Sequence, residues 1–451
     1  MGKFRGGQRV SLTVERYGSQ GEGVGQLPDG MTCFVRGGLA GETCLVSLDK
    51  VGKSAARGHV VDITNPSPAR MVPDCPYYFR CGGCGLRHMS YEEELRFKRQ
   101  KVQDALTRIG GTKTVVSAIY GADNTICYRN KVQFPVGKGG EIGFYEARSH
   151  RVVDVEDCLL QPPTAGRLRS ALKEFMSTYG VSAYDEQTGK GLVRHLYLRT
   201  NRAGASLCCI LVNGTALPHE EALVAVLREA EPNLAGVVLG INEKKSNVIL
   251  GDRYRTLWGE DSLPDELCGL TFRLSVPSFY QVNREQTEVL YGLVMEFAQL
   301  SGGETVLDLY CGIGTITLCL AKKAGMVYGA EVVPQAVEDA RENALRNGIS
   351  NAEFFCGDAA DVAADFAARG VRPQVITVDP PRKGLAETVV ADIVKMEPER
   401  VVYVSCDPAT LGRDIKRFGA YGYHAVRAVA VDLFPRTEHV ECCVLLCREE
   451  K

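Results

Sequence analysis

VLDLYCGIGTITLCLA, residues 306–321, runs from an apolar strand through a glycine turn into an apolar helix. Glycines at 312 and 314 let the backbone approach a ligand closely, because glycine adopts dihedrals closed to other residues. Outward from this stretch the pattern repeats. ETVLDLYCG, MVYGAEVV, AEFFCGDA, QVITVDPPR, VVYVSCDP and HAVRAVAVDLF are apolar strands separated by helical stretches, and ECCVLLC closes the series. Strands alternating with helices predict an α/β fold, a parallel sheet with helices on both faces. The last two strands have only a short connection, so the final one is expected to run antiparallel.

The polar residues of this region fall at the ends of those strands. Glu331 follows the glycine turn by about 20 residues, where a carboxylate takes both hydroxyls of a ribose. Asp358 in GDAAD and Asp379 in VDPPRKG end the third and fourth strands. Ligands of such sheets bind at the carboxyl ends of the strands. The turn lacks both G-x-G-x-x-G and G-K-[ST], which weakens the dinucleotide and ATP readings. Together with the three carboxylates it points to S-adenosylmethionine; the plainer alternative is a sheet whose acidic residues only cap helices. Cys406, in VVYVSCDPATLGRD, ends another strand in the same crevice and is placed for nucleophilic chemistry. Glu441 begins the final strand, where it could reach the same rim; the plainer alternative is an exposed carboxylate at a strand start. Arg382 and Lys383, on the neighbouring strand end, are the cations expected to lower the pKa of Cys406.

Upstream the grammar differs. Residues 1 to about 64 form short alternating runs (QRVSLTVERYG, MTCFVRG, TCLVSLDKVG, RGHVVDIT) broken by glycine-rich turns, which predicts a small closed or nearly closed β-barrel with a mild positive bias. NPSPAR, 65–70, reads as a linker. SYEEELRFKRQKVQDALTRIGG, 90–111, is a helix with Ser90 as its cap. Residues 115–275 read mostly as strands, with helices near 164–179 and 219–230, an α+β pattern.

The chain has 451 residues, enough for two or three domains, with 45% hydrophobic and 24% charged residues and a net charge of −2. There is no global basic excess, which leaves room for a local basic face. No run approaches about 18 apolar residues, so no membrane span is expected. The opening MGKFRGGQRV has no apolar core and Gly6 defeats a myristoylation signal, so a cytoplasmic protein is expected. Most of the 17 cysteines sit in apolar runs as buried thiols. CPYYFRCGGCG, 75–85, is different, spacing Cys75, Cys81 and Cys84 as C-x5-C-x2-C. Four-thiolate zinc sites usually come as two C-x2-C pairs, and only one stands here. A cubane iron–sulfur cluster accepts the uneven spacing, and Gly82 and Gly83 can offer N–H groups to sulfur. His88 reads as a packing or surface residue. Tyr77, Tyr78, Phe79, Arg80 and Arg87 are candidates for RNA contact.

The ordered set SFYQVN, DLYCGIG, VDPPRKG, SCDPATLGRD and TEHVECC resembles the bacterial RNA uracil-5-methyltransferases, and most of all the branch acting on 23S ribosomal RNA, across essentially the whole chain. That resemblance implies a Rossmann-like class I methyltransferase domain, an N-terminal OB-like TRAM barrel and a central α+β domain carrying a [4Fe–4S] cluster. It implies Cys406 as nucleophile and Glu441 as base, with Gln281, Tyr310, Glu331, Asp358 and Asp379 about S-adenosylmethionine. It makes Cys158, in VEDCLLQPP, the distant fourth ligand beside Cys75, Cys81 and Cys84. Thr315 stands where relatives often have Asn. The expected domains are 1–66, the RNA-binding barrel; 75–89 with 112–275, the iron–sulfur and RNA-binding domain; and 90–111 with 276–451, the catalytic domain. The partner is RNA with a flipped-out uridine, and no obligate protein partner is evident. The alternatives are the same reaction on transfer RNA, a catalytically idle RNA-binding or ribosome-assembly factor, and an iron–sulfur redox protein.

Overall fold

The computed structural model describes residues 4–448. The chain divides into two compact units, one of residues 1–101 with Phe434–His439, the other of Val102–Leu433 with residues 440–451.

In the first unit, β1 (Arg9–Tyr17), β2 (Gly23–Gln26), β3 (Thr32–Arg36), β4 (Thr43–Val51) and β5 (Ala55–Asn65) close into a barrel in the order β1-β2-β3-β5-β4. Alternation along β1 turns Val10, Leu12 and Val14 inward, against Val35, Cys44, Val46 and Leu48. Gly25 is obligatory in the wall: a Cβ there would lie 2.3 Å from the Thr13 carbonyl oxygen. The buried Glu42 carboxylate ties the linker to the barrel, accepting from Arg70 Nε (2.5 Å) and Nη2 (2.6 Å) and from the N–H groups of Leu39 and Ser67. A buried charge needs such a set of donors. Helix α1 (Tyr91–Asp104) starts where Ser90 Oγ accepts from the Glu93 N–H. A downstream strap, Phe434–His439, is bound into this unit. The Arg436 carbonyl accepts from the Gly85 and Leu86 N–H groups at 3.1 and 3.2 Å, and the Arg436 N–H donates to Glu94 Oε1 at 2.7 Å.

The second unit carries two main sheets. Strands β6 (Val116–Tyr120), β7 (Lys131–Pro135), β8 (Gly143–Tyr145) and β9 (Val152–Asp154) precede helix α2 (Pro163–Thr178). Next come β10 (Val193–Thr200), β11 (Ser206–Val212), α3 (Glu220–Ala230), β12 (Leu234–Ile241) and β13 (Arg253–Gly259). Five of these strands form one sheet in the order β13-β12-β11-β10-β7. VRHLYLRT and SLCCILV are buried almost throughout, because each face of that sheet meets its own apolar cluster. A hairpin, β14 (Ser262–Leu267) and β15 (Leu270–Ser275), follows.

The alternating part begins with helix α4 (Arg284–Ala298), capped by Asn283. It continues through β16 (Thr305–Leu309), α5 (Thr315–Ala321), β17 (Met326–Glu331), α6 (Pro334–Arg346), β18 (Ala352–Cys356), α7 (Ala359–Ala368) and β19 (Val375–Val378). It ends with α8 (Glu387–Lys395), β20 (Arg400–Ser405), α9 (Pro408–Gly419), β21 (Tyr423–Val431) and β22 (Glu441–Arg448). The sheet order is β18-β17-β16-β19-β20-β22-β21-β6, with β22 antiparallel to both of its neighbours, as its short connection predicts. Order reverses between β16 and β19, which opens the ligand crevice there. The eighth strand is a departure from the expected division: Val116–Tyr120, assigned above to the central domain, pairs parallel to β21 at the catalytic sheet's edge.

Candidate active site

Six adjacent strands deliver one candidate residue each to the same edge of the sheet. In spatial order these are Asp358 beyond β18, Glu331 ending β17, Tyr310 beyond β16, Asp379 beyond β19, Cys406 beyond β20, and Glu441. Glu441 arrives because β22 is antiparallel, so its first residue lies beside the end of β20, with Cys442 opposite Ser405.

At the glycine turn Tyr310, Gly312 and Gly314 have φ of 68°, 56° and 83°. This left-handed region is unusual for a tyrosine and natural for glycine. The Glu331 carboxylate braces the turn, accepting the Gly312 N–H on Oε2 at 3.1 Å and the Val333 N–H on Oε1 at 2.9 Å. Asp358 is exposed and caps α7, accepting the Ala360 N–H at 2.9 Å. The capping role is thus real at Asp358. Buried Gln281 is held through its backbone, its carbonyl accepting from Asn130 Nδ2 at 2.9 Å.

The reacting end has a distinct electrostatic character. Ser405 Oγ accepts the Asp407 N–H and donates to the Asp407 carbonyl, both at 3.1 Å, which sets the turn bearing Cys406. Cys406 is half-buried. Burial, then the charges of Glu441 and Asp379, push its thiol up to about 11, and Arg382 opposes them. The expected net lowering by Arg382 and Lys383 is therefore not present: Arg382 pulls in the predicted direction and is outweighed. The thiol also precedes the N-terminus of α9 by two residues, a position whose dipole favours a thiolate. Glu441 is buried, and its Oε2 has no hydrogen-bond partner. Burial, then Asp379, raise its carboxyl to about 8. Asp379 lies deep in the crevice with part of its surface open, and burial followed by Asp308 raises it to about 7.

Several site-building residues had been overlooked at the level of sequence. Asp308 of VLDLY is buried and accepts from the hydroxyls of Thr317 and Thr377 at 2.6 Å each, locking α5 and β19 onto β16. Tyr291 of α4 shares a 2.8 Å hydrogen bond with Thr315 Oγ1, directly behind the glycine turn. Asp414 accepts the Leu385 N–H and the Tyr403 hydroxyl at 2.8 Å each, fixing the loop after DPPR. For Asp308 and Tyr291 the one sequence signal is a polar residue embedded in an apolar run; Asp414, amid Arg413, Lys416 and Arg417, has none.

The cysteine loop lies in the first unit and Cys158 in the second. Cys75, Cys81, Cys84 and Cys158 are all half-buried. Burial raises Cys81, and Cys84 and Cys75 add to that rise through space, while the Gly83 N–H donates to Cys81 Sγ at 3.4 Å. These features suit thiolate ligands, although among the described residues no three Cys, His, Asp or Glu side chains converge into a metal-holding group. His88 is a buried packing residue: burial pushes its imidazole down to about 4, and Nδ1 meets the Tyr78 hydroxyl at 2.6 Å. Two proposed RNA contacts are turned inward. Tyr78 also donates to the Gly85 carbonyl, and Arg87, 4% exposed, pairs with Asp74 at 2.7 Å. Phe79 and Arg80 remain exposed.

With this geometry in view, comparison with known proteins is specific. Residues 258–449 match the family model for tRNA (uracil-5-)-methyltransferase, and residues 3–61 match the TRAM domain. An RNA methyltransferase of Clostridium tetani is 42% identical over 97% of this chain and 95% of its own. One of Halalkalibacterium halodurans is 43% identical over 97% and 96%. Among solved structures, the Pyrococcus abyssi tRNA (uracil-54, C5)-methyltransferase in complex with S-adenosyl-L-homocysteine superimposes with a TM-score of 0.77. It is 27% identical and covers 97% of this chain and 100% of that one.

Proposed function

The chain belongs to the TRAM-containing RNA (uracil-5-)-methyltransferases, and on that premise we propose that it methylates C5 of a specific uridine in 23S ribosomal RNA. The observation that carries the chemistry is the delivery of Cys406 and Glu441 to one sheet edge, beside a carboxylate-lined glycine turn. S-adenosylmethionine supplies an electrophilic methyl group on sulfur. Tyr310, Glu331, Asp358, Asp379 and Gln281 are its proposed holders, with Glu331 on the ribose.

Uracil C5 is a weak nucleophile. Cys406, as thiolate, adds to C6 of the flipped-out base, and the electron pair of the C5–C6 double bond becomes an enolate. C5 then bonds to the methyl carbon as the carbon–sulfur bond of the donor breaks. Glu441 removes the proton left on C5, the double bond re-forms, and the Cys406–C6 bond breaks to release thiolate. A carboxylate in a dry site is a stronger base than one in water, which suits the abstraction of a carbon-bound proton. Glu441 must be ionised at that step, and Arg382 is the cation that favours it.

Cys75, Cys81, Cys84 and Cys158 are the proposed ligands of a [4Fe–4S] cluster that organises an RNA-facing surface. The uneven spacing, the mutual field of the loop thiols and the Gly83 N–H on sulfur support this reading. The closed barrel is the proposed sequence-tolerant RNA grip, and the cytoplasm the proposed site of action. The ribosomal target rests on the cysteine loop combined with the barrel. Transfer RNA is the second reading, favoured by the full-length likeness to the Pyrococcus enzyme. Mapping 5-methyluridine in ribosomal and transfer RNA from a deletion strain decides: loss from 23S RNA alone supports the first, loss from transfer RNA alone replaces it.

A further inference from the structure

The second unit holds a thiol pair that methyl transfer does not use. Cys268 and Gly269 form the two-residue turn of the β14–β15 hairpin, Leu267 pairing with Leu270, and both have positive φ, 53° and 68°. That conformation is the tight hairpin turn with both central residues left-handed. The turn is clamped from two helices. The Cys268 N–H donates to Glu288 Oε1 of α4 at 3.1 Å, and its carbonyl accepts from Lys322 Nζ, just past α5, at 2.6 Å. Cys319, in the last turn of α5, is buried, one turn before the Lys322 that grips the Cys268 carbonyl. Both thiols line one open groove of about 490 Å³, with Glu288, Tyr291 and Met295. Cys268 is only half-buried, so a small oxidant reaches it through the groove.

The electrostatics agree with this geometry. Interaction with the neighbouring Cys319 thiol, aided by Lys322 and Arg202, pulls the Cys268 thiol below its ordinary value against burial and Glu288. Cys311, Cys319, Cys406 and Cys443 of the same unit are all pushed up. Thiolate character and access together select the cysteine that oxidises first.

We propose that Cys268 and Cys319 form a thiol-oxidation site, at which a hydroperoxide converts the pair into a reversible disulfide that weakens the hold on S-adenosylmethionine. The Cys268 thiolate attacks the peroxide, the O–O bond breaks, and a sulfenic acid forms as the leaving oxygen departs as water or alcohol. The Cys319 thiol then attacks that sulfur, the S–S bond forms, the S–O bond breaks and water leaves. The two thiols give up two electrons and two protons, and the peroxide is reduced. A disulfide draws the sulfurs to about 2.0 Å. It therefore pulls α5 toward the hairpin turn, and α5 begins at Thr315, where the glycine turn ends. Tyr291, which lines the groove, is bonded to Thr315 Oγ1 at 2.8 Å and carries the shift to the same point. The disulfide stands on this geometry alone; its effect on the cofactor rests on the function proposed above.

The test uses the full-length reduced protein treated with equimolar hydrogen peroxide. Non-reducing peptide mapping is expected to show a Cys268–Cys319 cross-link that dithiothreitol reverses and that Cys268→Ser and Cys319→Ala both abolish. Calorimetry with S-adenosylhomocysteine is expected to show Kd rising by about threefold or more on oxidation, a modest coupling, with no rise in Cys268→Ser. Oxidation that leaves this pair unlinked overturns the site. A cross-link with unchanged Kd overturns the coupling. Failure of the reduced protein to bind S-adenosylhomocysteine overturns the cofactor reading instead, while the cross-link stands.

Discussion

The two thiol regions of the chain, the loop carrying Cys75, Cys81 and Cys84 and the lone Cys406, pose opposite problems of thiol chemistry. In the loop, three sulfurs lie on a short, polar, half-exposed segment where burial, and then Cys84 and Cys75, raise the cost of ionising Cys81. Such a group gains from a shared cation. Cys406 has no companion thiol in its motif. Its surroundings are the helix start of α9, the cation of Arg382, and the carboxyls of Glu441 and Asp379. In the proposed reaction it forms and breaks a single bond. Cysteine density in sequence is therefore a poor guide to cysteine chemistry; the partners of each sulfur decide it.

The comparison breaks if either region behaves like the other. Cys406→Ala is expected to lower methyl transfer by about 10⁴-fold or more, the scale of losing a covalent nucleophile, with no protein–RNA adduct on denaturing gels. A surviving adduct in that variant would move the nucleophile elsewhere. Glu441→Gln should cost about 10²–10⁴-fold, the usual weight of a general base. It should also accumulate a methylated adduct, since addition and methyl transfer precede its step. Loss of activity without adduct would assign Glu441 an earlier role. Cys81→Ser and Cys84→Ser are expected to abolish a brown chromophore and bound iron, and to reduce methylation by only about 10–100-fold, as indirect metal-shell changes do. Retention of iron in both variants would remove the ligand set.

Two smaller effects sharpen the catalytic side. Tyr291→Phe deletes the hydrogen bond to Thr315 Oγ1. One such bond contributes about 1 kcal/mol, so KM for S-adenosylmethionine should rise roughly fivefold with kcat little changed. Glu441 also links the site to stability. Its carboxyl is raised from 4.5 to about 8 by burial, so the folded chain holds that proton more tightly than the unfolded one. The resulting stabilisation is whole below about pH 4.5 and is lost as pH rises through about 8. Glu441→Gln removes this dependence. Its melting temperature should gain on the parent between pH 5 and 9, by about a few degrees. A constant difference across that range would show that Glu441 titrates normally.

Much of this was legible before any coordinates. The alternation of VLDLY, MVYGAE, QVITVDP and VVYVSCDP with helical stretches specifies the parallel sheet, and strand ends specify the crevice, because side chains just past a parallel strand share one edge. The barrel was legible from period-two runs and glycine turns. Less visible were residues whose work is to hold others. Asp308 and Tyr291 each look like one polar letter in an apolar word, Asp414 like one more charge on an amphipathic helix, and the partners they hold in place lie from 9 to 69 residues away. Val116–Tyr120 reads as a strand, but its neighbour β21 lies more than 300 residues onward. The inward turn of Tyr78 and Arg87 was equally hidden, since a basic or aromatic letter does not say which way it faces.

By itself, then, the sequence determined the kinds of elements, their order and the family, and it singled out the proposed pair Cys406 and Glu441, because these depend on local periodicity and on motifs that survive as contiguous letters. Only the tertiary structure decided how ionisable those groups are and what holds them in place. A pKa depends on burial and on charges brought together from strands far apart in the chain, and so Cys406, placed by sequence beside two helpful cations, is pushed up to about 11 in the fold by burial first and by the Glu441 and Asp379 carboxyls second.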